Sequence, residues 1–257
     1  MRDVSVSLGL GEVVAVIGRN GSGKTTLAKV LAGMFKPTTG QLFIDGNDYR
    51  KFSVAEIGRK VGYVFQNFDY QLFSDTVANE VTFGLKNMGL PEPEIQTRID
   101  ETLTKLGLEH YRGVHPRRLS SGQRQAVAIA SVLAMKPNAV ILDEPTTGQD
   151  QKRTKQIMQL IQQMQTEGKL VIIISHNIGN IASYCKRVIA LNGGQIVADG
   201  PTQEILGNKA LLKQIHFKPT PIMQLSELLN GNGCHSNVFS VTEMAQFIKE
   251  HVRSKQK

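Results

Sequence analysis

Cysteine is scarce. The 257-residue chain carries two, Cys185 and Cys234, which make neither a disulfide framework nor a metal-ligand spacing. Cys234-His235 falls well short of the roughly four ligands of a zinc site, so it reads as a loop thiol beside a solvated imidazole. A reducing compartment is the expectation. Long apolar runs are missing too. The longest uncharged stretch, Leu170 to Cys185, contains Ser175, His176, Asn177 and Asn180. It falls short of the roughly 20 apolar residues a spanning helix requires. At the start, Asp3 and the Gly9–Gly11 stretch leave no uninterrupted apolar segment behind a basic head, so no secretory signal is expected. Any membrane role is then peripheral or through a partner. Aromatics are only 6% of the residues. None interleave with the basic pairs Arg50-Lys51, Arg59-Lys60, Arg117-Arg118 and Lys186-Arg187, as a stacking platform for single strands requires. No internal repeat, low-complexity tract or heptad run appears.

What is present is a globular composition. Apolar residues make up 40%, enough for a core and against wholesale disorder. The net charge of +8 and pI near 9.5 fit nucleic acid, anionic lipid or a phosphorylated ligand, and fit equally a solvated basic surface.

Val13 to Ile17 is an apolar run ending at glycine, the pattern of a buried parallel strand. Thr26 to Met34 follows as a helix, with Leu27, Val30 and Leu31 on one face. Leu42 to Ile44 before Asp45-Gly46 reads as strand and turn, and Val61 to Phe65 as another strand. From about 68 to 135 the character changes. Ile95, Ile99, Leu103 and Leu106 recur at helical spacing behind Pro91 and Pro93, and Ala126 to Met135 is an apolar helix. Strands then resume at Ala139–Leu142 and Leu170–Ile174, around an amphipathic helix marked by Ile157, Leu160, Ile161 and Met164. Val188–Leu191 and Gln195–Ala198 flank Asn192-Gly193-Gly194 as a hairpin. This alternation predicts an α/β fold: a mostly parallel sheet with helices on both faces and a helical insertion at about 68–135. One domain is expected over 1–206. A helical extension over 207–257 follows, with Thr220-Pro221 starting one helix and a Ser240–Glu243 capping box starting another. Such short helices cannot bury a core alone and are expected to pack on the main domain or on a second copy.

Gly18 to Thr25 fits G-x-x-x-x-G-K-[ST] between a strand and a helix. Its glycines let backbone N–H groups close around phosphate oxygens, and the helix N-terminus adds a positive dipole end. Lys24 can reach the β- and γ-phosphates, and the Thr25 hydroxyl can ligate Mg²⁺. Asp143 and Glu144 end an apolar strand, and strand ends of a parallel sheet face the ligand crevice. Asp143 can hold Mg²⁺ through water, and Glu144 can polarise an attacking water. His176 and Gln66 also follow apolar strands. Each is a weak signal alone. In company, His176 points to the γ-phosphate and Gln66 to Mg²⁺ or water. Leu119 to Gln123 is a small-polar turn opening a helix.

Through these residues, the stretch from 4 to 205 resembles the ATP-binding-cassette ATPase family. Gly18–Thr25 matches Walker A, Gln66 the Q-loop, and Ser120–Gln123 the signature. Asp143 and Glu144 match the Walker B pair, Asp150 the D-loop aspartate, and His176 the switch histidine. The six motifs stand in the family's order. The resemblance implies a P-loop NTPase core that hydrolyses ATP with Mg²⁺, sandwiched between two cassettes. Gly18, Asn20, Gly21, Ser22, Gly23, Lys24, Thr25 and Thr26 would hold ATP from one side, and Ser120, Gly122 and Gln123 from the other. Glu144, His176 and Gln66 would be catalytic, Thr25, Gln66 and Asp143 would serve Mg²⁺, and Asp150 would contact the partner cassette.

Gln66-Asn-Phe-Asp-Tyr-Gln-Leu-Phe73, Glu144-Pro-Thr-Thr-Gly-Gln-Asp150 and the helical tail resemble a narrower group, the energy-coupling-factor ATPases. This likeness implies import of a vitamin or transition-metal ion, with the chain peripheral on the cytoplasmic face of the membrane. Its partners would be a second cassette (the same or a related chain), a transmembrane coupling subunit and a membrane substrate-binding subunit, with no direct nucleic acid. The 207–257 tail would serve dimerisation or docking. A cassette acting on ribosomes or nucleic acid, an exporter or other importer cassette, and a regulatory nucleotide-binding module remain open. Three departures stand out: Ser121 where the family usually has glycine, Phe68 where the subgroup commonly has proline, and Met1 standing just before the Gly11-Glu12 turn. The family's preceding strand and its adenine-stacking aromatic are not in this sequence. The sheet is expected to be weakened and adenine to be gripped otherwise, unless the sequence is shortened.

Overall fold

The computed structural model describes residues 1–230 and 238–254, with side chains to Leu229 and from Val238 to Lys249. Cys234-His235 lies outside the described residues. Strand β1 (Val13–Ile17) is buried at every position, as a central strand covered on both faces must be. Helix α1 (Lys24–Leu31) starts earlier than its apolar spacing suggests, because Gly23 takes the left-handed conformation (φ 104°) that turns the loop straight into helix. It stops short of Met34 in a Schellman turn. The Gly33 N–H donates to Val30 O and the Met34 N–H to Lys29 O.

Strands β2 (Phe43–Ile44) and β3 (Asn47–Asp48) pair across Asp45-Gly46 as a two-residue hairpin. Helix α2 (Val54–Lys60) goes unannounced by apolar spacing; a Ser53–Glu56 capping box starts it. Strand β4 (Val61–Val64) leads into the helical insertion of α3 (Val77–Asn87), α4 (Glu92–Leu106) and α5 (Ser121–Leu133). Ile95, Ile99 and Leu103 point inward, as their spacing predicts. Strand β5 (Ala139–Asp143), α6 (Gln151–Thr166), β6 (Leu170–Ile174), α7 (Ile178–Tyr184), β7 (Arg187–Asn192) and β8 (Gln195–Pro201) complete the core. Helices α8 (Thr202–Gly207), α9 (Lys209–Gln214), α10 (Pro221–Asn230) and α11 (Val241–Ser254) follow.

The main sheet has the order β4-β5-β6-β1-β7-β8. All neighbours are parallel except the β7–β8 hairpin. Alternate residues divide between two cores. Val13, Ala15, Ile17, Leu142 and Ile173 face α5 and α6, while Val14, Val16, Ile141 and Ile172 face Leu27 and Ala28 of α1. Val4, Val6 and Leu8 pack on the α1 side. Helix α5 belongs to the sheet as much as to the insertion: a Cβ at Gly62 of β4 would lie 2.3 Å from Val132 Cγ1. The tail packs on the main domain. Leu211, Leu212, Ile215 and Phe239 join the larger core, and both expected helix starts form, with Thr220 and Ser240 accepting the capping N–H groups. Leu225 and Leu228 of α10 face outward.

Parallel pairing puts the C-terminal ends of β4, β5, β6 and β1 side by side. Gln66, Asp143-Glu144, His176 and Gly18 therefore stand in a row along one sheet edge, at a place where the strand order reverses.

Candidate nucleotide-binding site

The loop after β1 is shaped by what surrounds it. A Cβ on Gly18 (φ +144°) would lie 2.2 Å from Leu191 O and 2.6 Å from Ser22 Oγ, so only glycine fits. The Gly194 N–H of the β7–β8 turn donates to Ser22 O at 3.0 Å. Lys24 Nζ donates to Gly18 O (2.8 Å) and Arg19 O (3.1 Å), which sets the ammonium across the mouth of the loop. Burial lowers the Lys24 pKa, and the carboxylates of Glu144 and Asp143 work against that fall. Asn20 and Gly21 are exposed, as are Thr25 and Thr26 on the first turn of α1.

Asp143 is 5% exposed. Its Oδ2 accepts from Tyr63 Oη at 2.9 Å and from Thr25 Oγ1 at 3.3 Å. Burial raises the Asp143 pKa, those two hydrogen bonds pull it back, and the neighbouring Glu144 charge adds to the rise. Burial, then the Asp143 charge, pushes the Tyr63 phenol up in turn, which keeps it a donor. The paired Thr25 and Asp143 oxygens fit a hard cation. Among the described residues, no group of three or more His, Cys, Asp or Glu side chains is placed to hold a metal ion by itself. This donor set therefore suits Mg²⁺ held by one or two protein oxygens together with substrate phosphates.

Glu144 takes a left-handed backbone (φ 51°), and its N–H donates to Ile174 O at 2.9 Å. Such a conformation is costly for a residue with a Cβ; here it accompanies a carboxylate bound to His176 and Thr147. Oε1 lies 2.8 Å from His176 Nδ1, and Oε2 accepts from Thr147 Oγ1 at 3.0 Å. Gly18, Asn20, Gln66, Glu144 and His176 line one pocket.

The structure does not bring the Ser120–Gln123 turn into that pocket. Ser120 caps α5 in a capping box, its Oγ accepting from the Gln123 N–H and its own N–H donating to Gln123 Oε1. Gly122 lines a separate recess beside Arg153. Ser121, in the first helical turn, has its side chain in solvent. Asp150 caps α6, accepting from the Arg153 N–H at 2.7 Å.

Sequence reading missed four supporting residues. Tyr63 pairs in register with Ile141. It thus shares a sheet face with Asp143, two residues on, but only the pairing register reveals this. Thr147 holds Glu144 from within the same turn. Gln71 Nε2 donates to Ala128 O and Ser131 Oγ of α5. Arg124 binds Asp69 at 2.7 Å and lies over the Phe68 ring. Phe68, in place of the subgroup's proline, thereby helps clip the segment after Gln66 to α5.

A family model described as ABC transporter matches residues 1–147. The chain belongs to the ABC transporter family. Among its ABC relatives is the energy-coupling factor transporter ATP-binding protein EcfA of Methanothermobacter thermautotrophicus, 42% identical over 90% of the chain and 74% of that protein. CbiO1 from Clostridium perfringens, described as part of the ABC transporter complex cbiONQ, superposes with a TM-score of 0.75 at 35% identity, over 88% of this chain and 90% of that one. The cassette MJ0796, solved as a dimer in a post-hydrolysis state bound to ADP and Pi, gives a TM-score of 0.70 at 32% identity, over 77% of this chain and 89% of that one. The chain spans 43% and 39% of the length of two other curated relatives that it matches nearly end to end. No helix among the described residues is long and apolar enough to cross a membrane.

Proposed function

We propose that this chain binds and hydrolyses ATP as one of two cassettes that power import of a small substrate, a vitamin or metal ion, through an energy-coupling-factor type transporter. The observation that carries the hydrolytic part is Glu144, oriented by His176 and Thr147 at the rim of the pocket that also holds Gly18 and Gln66. Lys24 and the loop N–H groups bind the β- and γ-phosphates. The Glu144 carboxylate accepts a hydrogen bond from the attacking water and aims it in line, while His176 keeps the carboxylate turned to that position. Thr25 and Asp143 would hold Mg²⁺, which neutralises charge on the phosphate oxygens. Catalysis of this kind is mainly electrostatic positioning.

A second cassette supplies what one chain lacks. Ser120, Gly122 and Gln123 stand apart from their own pocket and are free to face a partner's γ-phosphate; Asp150 would contact the partner cassette from the start of α6, whose Arg153 borders Gly122, and the MJ0796 dimer supports the arrangement. Peripheral placement on a membrane coupling subunit, at the cytoplasmic face, is supported by the likeness to EcfA and CbiO1. It is supported also by the exposed Tyr70, Phe73 and Phe83, the last two in edge contact at 4.8 Å between ring centroids. A substrate-binding membrane subunit would complete the assembly. The outward Leu225, Leu228, Val241 and Ile248 suit the tail to dimerisation or docking. Glu144→Gln should lower ATP turnover at least about 100-fold, the scale of one positioned acid–base group, while ATP binding survives and a closed dimer accumulates on gel filtration. Unchanged turnover would remove Glu144 from the role.

A further inference from the structure

The pocket at the Gly18 loop has a wall that the family motifs do not account for. Besides Gly18, Glu144 and His176 it is lined by His216, Phe217 and Lys218, from the connection between α9 and α10. This segment lies in the C-terminal extension, far along the chain from Gly18, and it is fastened in place. Ile215 is fully buried. The Phe217 N–H donates to Leu212 O at 2.8 Å. His216 takes a left-handed backbone (φ 57°), a conformation that costs a non-glycine residue energy and persists where surroundings enforce it. The β7–β8 turn ties both sides together. Gly194 donates to Ser22 O of the phosphate loop, and Asn192 Nδ2 donates to Gln214 O at 3.3 Å, next to this segment.

The chemistry of the wall is cationic. Lys218 is exposed and, among the described residues, joins no ion pair; Arg19, which also lines the pocket, is likewise exposed. Of the pocket residues on the sheet side, Glu144 aims the attacking water at the terminal phosphate in the proposed function and His176 orients Glu144. Because it shares a pocket with Gly18, Glu144 and His176, the C-terminal segment lies on the side of the site where the attacking water and the γ-phosphate would meet.

We propose that His216 and Lys218 contact the terminal phosphate of a nucleoside triphosphate bound in the same chain, so that the C-terminal extension helps distinguish triphosphate from diphosphate. This rests on the nucleotide-binding reading. Lys218 supplies a charge and His216 a ring N–H donor to oxygens that a diphosphate does not have.

The test compares equilibrium binding of Mg²⁺ with ADP and with a non-hydrolysable ATP analogue, by calorimetry on the full chain at concentrations where sedimentation shows a monomer. The variants are Lys218→Ala, Lys218→Arg and His216→Asn; asparagine is chosen because it tolerates the left-handed backbone. Lys218→Ala and His216→Asn should each weaken the triphosphate about three- to tenfold, the scale of one charge-assisted contact at a partly solvated site. ADP affinity should move by less than about twofold, and Lys218→Arg should keep the triphosphate preference. The Lys218→Ala deficit should shrink as salt rises and screens the charge. Equal losses for both nucleotides, or no loss for either, would overturn the proposal. If the unaltered chain binds neither nucleotide, the nucleotide-site reading fails and takes this one with it.

Discussion

Tyr63→Phe removes one oxygen from the site and leaves the packing of the ring, including its 4.8 Å contact with Phe65. The lost hydroxyl is the shorter of the two donors on Asp143 Oδ2, at 2.9 Å against 3.3 Å for Thr25 Oγ1. Tyr63 and Asp143 are 6% and 5% exposed, so water does not readily replace it. A hydrogen bond to a charged group contributes about 1.5–3 kcal/mol. In a chain of this size that is roughly 3–12 °C of melting temperature. In an Asp143→Asn background the acceptor is neutral, and the same substitution should cost only about 0.5–1.5 kcal/mol. The pH dependence has a definite sign. Burial already lifts the Asp143 pKa above its unfolded value near 3.8, and the Tyr63 hydrogen bond opposes the lift. Stability from the protonated form is full below that unfolded value and is lost as pH rises through the folded one; Mg²⁺ binding requires the ionised form. Removing the hydroxyl should move the acid limb of the ATPase profile to higher pH. Urea unfolding of the four members of the double-mutant cycle and a pH–rate profile measure both effects. Equal destabilisation by Tyr63→Phe with and without Asp143→Asn, together with an unmoved acid limb, would refute the reasoning.

Packing sets two further outcomes. Gly62→Ala places a methyl against Val132, 2.3 Å from its Cγ1, and should cost about 1–3 kcal/mol of stability by overpacking; Val132→Ala in the same chain should recover part of it in denaturant titrations. Burial pushes the Cys185 thiol up to about 12. Peptide mapping after alkylation at pH 8 should find Cys185 unmodified until the chain is unfolded, and its contribution to stability should fade only as pH climbs from about 9 towards that raised value.

Much of this was legible from local pattern. The Gly18–Thr25 loop, the strands ending at Asp143 and Ile174, and the Ser120–Gln123 cap each carry their signal within a few consecutive residues. Boundaries were less so: α1 begins at Lys24 because of the backbone at Gly23, which apolar spacing does not report. Helix α2 shows only a Ser53–Glu56 box and one buried position, Ile57, too little periodicity to announce itself. The partners of Tyr63 and Gln71 were hidden because they are distant in sequence and depend on strand register and on where α5 comes to rest; Gln71 stood out only as part of the Gln66–Phe73 likeness. The approach of His216 to Lys218 towards Gly18 was hidden for the same reason. Asp150 shows the converse: a position matched by family motif turns out also to be a helix cap.

The absence of room for a methyl at Gly18 bears on how a ligand is received. The loop is wedged against Leu191 O and latched by Gly194, so it cannot loosen without disturbing the end of β7. Fixing a flexible backbone costs about 1–2 kcal/mol per residue, and in this loop that loss falls on folding rather than on ligand capture. A phosphate chain arriving here meets a mould already set. Association should be fast, with little of the heat-capacity change that accompanies ordering on binding. Differences among ligands should arise from the groups they present and from how long they stay.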